Sequence, residues 1–105
     1  MNIQSFDYRN EITYSDEKAN KVVLTECDHA RTTLWCLMPG QHIHPHVHAG
    51  DHVWIVLEGE GLFLSDGSSD LPITSGSIVS APTGISHGVR NTGKKGLVFA
   101  SISAG

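Results

Sequence analysis

Short runs rich in Val, Ile, Leu, Trp and Phe recur along the chain between clusters of Gly, Pro, Asp and Ser, and none continues at helical spacing. KVVLTEC (21–27), TTLWCLM (32–38), HVWIVLEG (52–59), LFLSDG (62–67), SIVSAP (77–82), SHGVRN (86–91) and KGLVFASISA (95–104) are such runs. DHAR is a short connection between the first two, Pro39-Gly40 ends the second, and Gly59-Glu60-Gly61 reads as a hairpin. SSDLPITSG reads as a turn-rich link. Eight or nine short strands at close, even spacing predict an all-β sandwich or barrel. The first twenty residues are polar and weakly patterned, so the barrel is expected over 21–105. Within 1–20, IQSFDY is an edge strand, a strand exchanged with a partner, or a loose terminus.

With 105 residues the chain can build one hydrophobic core, so a site lies within that core or at an oligomer interface. The formal net charge is -4, and the seven Lys and Arg residues are scattered. That distribution gives no footprint for nucleic acid or an anionic membrane and leaves a small molecule or another protein as the expected partner. No stretch has the length and apolarity of a membrane span, and MNIQSFDYRNEITYSDEKANK does not read as a secretory leader, so a cytoplasmic protein is expected. Cys27 and Cys36 then read as buried thiols in strand-like sequence rather than as a disulfide.

QHIHPHVHAGDH (41–52) holds five of the seven histidines. His42, His44, His46 and His48 have the two-residue period that places side chains on one face of a strand, although Pro45 belongs at an edge or a bulge. His46 and His48, after the proline, are the pair most safely placed together. A turn at Ala49-Gly50-Asp51 can bring His52 to their side, and three imidazoles from adjoining segments suit Zn, Cu, Fe, Ni or Mn.

Two spaced motifs extend this reading. Gly40, His46, His48 and Gly59 follow G-x5-H-x-H-x3 or 4-E-x6-G with His52 at the glutamate position, and Gly76, Pro82, Gly84, His87 and Asn91 complete G-x5-P-x-G-x2-H-x3-N. Sixteen residues, Glu60 to Ser75, separate the two. Over residues 32–104 the chain resembles the cupin superfamily, in particular its small single-domain bacterial members. The resemblance implies a double-stranded β-helix, a jelly-roll-like barrel, binding one divalent transition metal (Mn, Fe, Ni, Cu or Zn) near one end, and a homodimer. Carried over residue by residue, the metal ligands are His46, His48, His87 and, in place of the family's glutamate, His52, with Asp51 as the alternative oxygen donor in a longer register.

Trp54, Val56 and Val89 share strand parity with His52 or His87 and are candidate pocket residues, and His44, with His42, is a candidate for the pocket mouth and for acid–base chemistry. Pro82, Gly84 and Gly76 read as turn-makers that aim His87, and Asn91 as a tie for backbone near the site. The resemblance implies a metal-dependent dioxygenase or isomerase acting on a small oxygenated metabolite. Two alternatives stay open, a non-catalytic binding or sensing barrel and a purely structural metal, since one barrel hosts many chemistries.

Overall fold

The computed structural model describes residues 3–47, 50–65 and 70–105, with the backbone alone at His46. These residues form β1 (Asn20–Glu26), β2 (Ala30–Leu37), β3 (His42–His46), β4 (Asp51–Glu58), β5 (Glu60–Ser65), β6 (Leu71–Thr74), β7 (Ile78–Ala81), β8 (His87–Asn91) and β9 (Leu97–Ala104). One antiparallel sheet has the order β1-β2-β9-β4-β7 and the other β3-β8-β5-β6, the double-stranded β-helix implied by the two motifs. Among the described residues no helix is long and apolar enough to cross a membrane.

The inner faces of the two sheets enclose Leu37, Trp54, Val56, Phe63, Ile73, Ala81, Val89, Leu97 and Phe99. Trp54 anchors this core, with ring centroids 4.8 Å from Phe99 and 5.2 Å from Phe63. The larger sheet is also covered on its outer face, where Leu34, Cys36 and Val98 are buried beneath Tyr8 and Ile12 together with Val22, Leu24 and Leu57. Burial on both faces explains why the centres of β2 and β9 read as continuous apolar runs rather than as alternation. Residues 3–19 supply much of that cover. A 3-10 turn at Tyr8–Asn10 places the Tyr8 hydroxyl 3.0 Å from Glu58 Oε2, and IQSFDY forms no strand.

Two expectations are corrected. The segment SSDLPITSG contains β6, which tolerates Pro72 because it is the outermost strand of its sheet, where a missing N–H breaks no ladder. Cys27 is exposed at the β1–β2 turn, whereas Cys36 is fully buried, and neither is in a disulfide. Burial raises the Cys36 pKa above its ordinary value, partly offset by a hydrogen bond with the Thr13 backbone.

Pro45 is accommodated as its chemistry demands. β3 is also an edge strand, and its register against β8 slips by one residue between Ile43 (opposite Val89) and His46 (opposite His87), a β-bulge at His44-Pro45. The two-residue period that His42 and His44 share is therefore interrupted before His46 by one extra residue in the ladder. The bulge packs against Gly88. A Cβ there would collide with the Ile43 carbonyl oxygen and lie 2.7 Å from Pro45 N, so the position accepts only glycine without movement of β3.

Candidate metal centre

The N-terminal ends of β4 and β8 meet across the barrel interior and bring two histidines together. Along β4 the side chains alternate, with Asp51 exposed and His52, Trp54 and Val56 buried. His87 begins β8 after a turn closed by Ile85 N donating to the Pro82 carbonyl at 3.2 Å. Gly84 supplies the left-handed residue of that turn, φ +84°, a conformation strained for any residue with a Cβ. The imidazole centroids of His52 and His87 lie 5.2 Å apart at 60°, and the two side chains are 9% and 1% exposed as residues.

His87 is held in a defined tautomer. Its Nδ1 lies 2.9 Å from the Ile85 carbonyl oxygen, which can only accept, so Nδ1 carries the hydrogen and Nε2 of the neutral ring presents a lone pair. A ligating imidazole whose other nitrogen donates to a carbonyl is the usual arrangement at metal sites. Phe63 lies parallel to the His87 ring at 6.0 Å and 6°, and Trp54 stands against it at 5.3 Å and 72°. Trp54 Nε1 is buried and has no hydrogen-bond partner among the described residues.

His46 ends β3 with its backbone opposite His87, at the same end of the barrel as His52. His48 lies outside the described residues. Among the described residues no group of three or more His, Cys, Asp or Glu side chains is gathered as a metal site. Asp51 is exposed and its Oδ1 accepts a hydrogen bond from Thr83 N at 2.9 Å, while Gly50 N donates to Thr83 Oγ1 at 2.9 Å. These two bonds clasp the β3–β4 connection to the turn that precedes β8. Val56 and Val89 belong to the buried core, 1% and 0% exposed. His44 is exposed on β3, its ring 4.4 Å from that of His42.

Asn91 does tie down backbone. Its Nδ2 donates to the carbonyls of Leu37 and Lys95, each at 2.9 Å, and its Oδ1 accepts from Gly93 N at 2.9 Å. It does so at the opposite end of β8 from His87, four residues away and so about 13 Å along the strand. Sequence reasoning missed Phe63 and Thr83. Phe63 could have been placed by pairing the hairpin run LFLS with SHGVRN, whereas Thr83 carries no signal outside the folded clasp.

The profile described as Cupin domain matches residues 33–103, and the chain belongs to the cupin family. It is 33% identical over 81 residues to the oxalate-binding protein of Thermotoga maritima, covering 73% of this chain and 66% of that one. Over 66 residues it is 27% identical to gentisate 1,2-dioxygenase of a Ralstonia species, covering 63% of this chain and 19% of the enzyme. The chain thus spans just under two thirds of the first relative and about a fifth of the second. A solved structure from Klebsiella pneumoniae, described as an uncharacterized conserved protein with a double-stranded β-helix domain, superimposes with a TM-score of 0.92 at 27% identity, covering 98% of this chain and 90% of that one.

Proposed function

We propose that the barrel holds one divalent transition-metal ion through His46, His48, His52 and His87 and binds there a small oxygenated acid that offers two oxygens. The observation that carries this reading is the buried His52–His87 pair with His87 Nδ1 committed to the Ile85 carbonyl. It leaves the other ring nitrogen of His87, a metal donor in the neutral imidazole, beside His52 in a buried aromatic setting. The commitment of Asp51 to Thr83 N favours His52 over Asp51 as the fourth donor.

Four neutral imidazoles leave the charge of a divalent ion uncompensated, which favours an anionic ligand at its open positions. When bound, the ion supplies a Lewis acid for the ligand's oxygens or a partner for dioxygen. The chain's own contributions are distinct from that. Phe63 and Trp54 fix the His87 ring, the Thr83–Asp51 clasp fixes the mouth, and the partnerless indole N–H of Trp54 donates to a ligand oxygen. The names of two relatives, an oxalate-binding protein and a gentisate dioxygenase, support a small carboxylate as ligand class. The second name favours dioxygenase chemistry as the reaction, and the first a barrel that binds without turnover.

The test is the visible spectrum of the Co2+-loaded protein during titration with oxalate and then gentisate, with dioxygen uptake followed on the Fe2+-loaded form. A ligand-dependent band shift is expected with at least one acid. An unchanged spectrum with both refutes binding at the ion, and a band shift without dioxygen uptake assigns the barrel to binding alone.

A further inference from the structure

β3 carries a second pair of imidazoles beside the four proposed as barrel ligands. His42 and His44 are exposed on the edge strand of the smaller sheet, with Nε2 atoms 3.1 Å apart and rings at 86°. We propose that this pair is a separate, exchangeable metal site, a two-imidazole chelate for a divalent ion of tetragonal preference, Cu2+ or Ni2+.

The nitrogen separation is compatible with such an ion. Two metal–nitrogen bonds of about 2.0–2.1 Å that span the observed nitrogen separation enclose an angle of about 95–102°. That range is compatible with the cis positions of a square-planar or octahedral shell, and tetragonal nitrogen and oxygen sites suit Cu(II) and Ni(II). The hydrogen bond the pair can make in the absence of an ion needs one Nε2–H. Moving that hydrogen to Nδ1 turns both Nε2 atoms into donors to a metal with no net loss of a proton.

The strand holds the pair ready. Gly40 N donates to the Asn91 carbonyl and Asn91 N to the Gln41 carbonyl, while the Gln41 side chain accepts from Met38 N at 2.7 Å and donates to the Ser15 carbonyl at 2.8 Å. His42 stands opposite Arg90 in the ladder, and the bulge at Pro45 follows directly. Little backbone freedom is left to lose on chelation, which is where preorganisation gains affinity. The pair opens into a cavity of about 380 Å³ that Glu17, Lys18 and Gln41 also line. It has room for the waters that complete a two-ligand shell, each of about 30 Å³, and Glu17 brings a carboxylate to the same space.

Amide and indole NMR signals of the full chain during addition of substoichiometric Cu2+ test this. In the wild type, paramagnetic broadening is expected at Gln41–His44 and at Arg90 across the ladder. His42→Ala and His44→Gln each abolish that broadening, and His87→Ala leaves it intact. An ion in the barrel instead broadens the Trp54 indole, so the proposed function can fail while this site stands, and the reverse. Broadening of the Gln41–His44 and Arg90 signals that persists in both His42→Ala and His44→Gln, or that never includes these signals, overturns the proposal.

Discussion

Replacing Asn91 tests the account of how β8 is anchored, and its cost can be worked from the contacts. In Asn91→Ala the Leu37 carbonyl loses its partner in a fully buried position, and the Lys95 carbonyl and Gly93 N–H lose theirs where some water reaches. A buried orphan costs about 1–3 kcal/mol and the two part-buried groups less, which together give a loss of about 3 kcal/mol. For a domain of this size that corresponds to a fall of about 12 °C in Tm. Asn91→Asp keeps the acceptor for Gly93 N–H but, when ionised, sets a carboxylate against two carbonyl oxygens without a hydrogen to donate. The folded protein therefore raises the pKa of the introduced carboxyl above its unfolded value. Its protonated form is the better tolerated one, and stability is lost as pH rises through the folded pKa. Urea unfolding of both variants at pH 4 and pH 7 measures this. Asn91→Asp should be the less stable of the two at pH 7 and recover towards pH 4. A loss below about 1 kcal/mol in Asn91→Ala, the size of one ordinary hydrogen bond, would mean that solvent replaces the side chain and that Asn91 is no anchor.

Three further outcomes follow from particular contacts. Gly88→Ala forces a Cβ into the β3 bulge, and urea unfolding should show a loss of about 1–3 kcal/mol as for an overpacked core; an unchanged midpoint would show that β3 moves away freely. Trp54→Phe keeps a ring against His87 and removes a buried donor that has no partner among the described residues, which offsets part of the cost of the cavity it leaves. Urea unfolding without acid should therefore show a loss smaller than the penalty of about 3–5 kcal/mol for a full aromatic truncation, while acid binding followed by the Co2+ spectrum weakens. Burial raises the Cys36 and Tyr14 pKa values, and the hydrogen bond to Glu58 raises that of Tyr8. All three hold their protons more tightly when folded, so their contribution to stability is constant well below the ordinary thiol value of 9.0 and is lost as pH rises beyond it; pH-dependent urea midpoints on the alkaline side check the sign.

The strands were legible where the sequence alternates or forms short apolar runs. β6 was not, because Pro72 argues against a strand unless its place at a sheet edge is known, and edge position is a property of topology. The inward placement of His52, Trp54 and Val56 follows from strand parity, and the turn that aims His87 follows from Pro82 and Gly84. The bulge at Pro45 was legible as a break but not in its consequence, since the shift at His44-Pro45 is fixed by pairing with β8. Asp51 was an open alternative because its tie to Thr83, 32 residues away, exists only in the folded chain. Phe63 differs, since pairing the run LFLS with SHGVRN would have set it near His87, and only its parallel packing on that ring needed the folded ladder of β5 and β8.

The most direct test of the central claim is metal content by elemental analysis of the untagged wild type alongside His52→Ala, His87→Ala and Asp51→Ala, each dialysed to remove exchangeable ions. The account expects near-stoichiometric transition metal in the wild type and in Asp51→Ala, with strong depletion in both histidine variants. Metal retained in His52→Ala and His87→Ala but lost in Asp51→Ala would contradict it, as would a wild-type protein that takes up none on reconstitution.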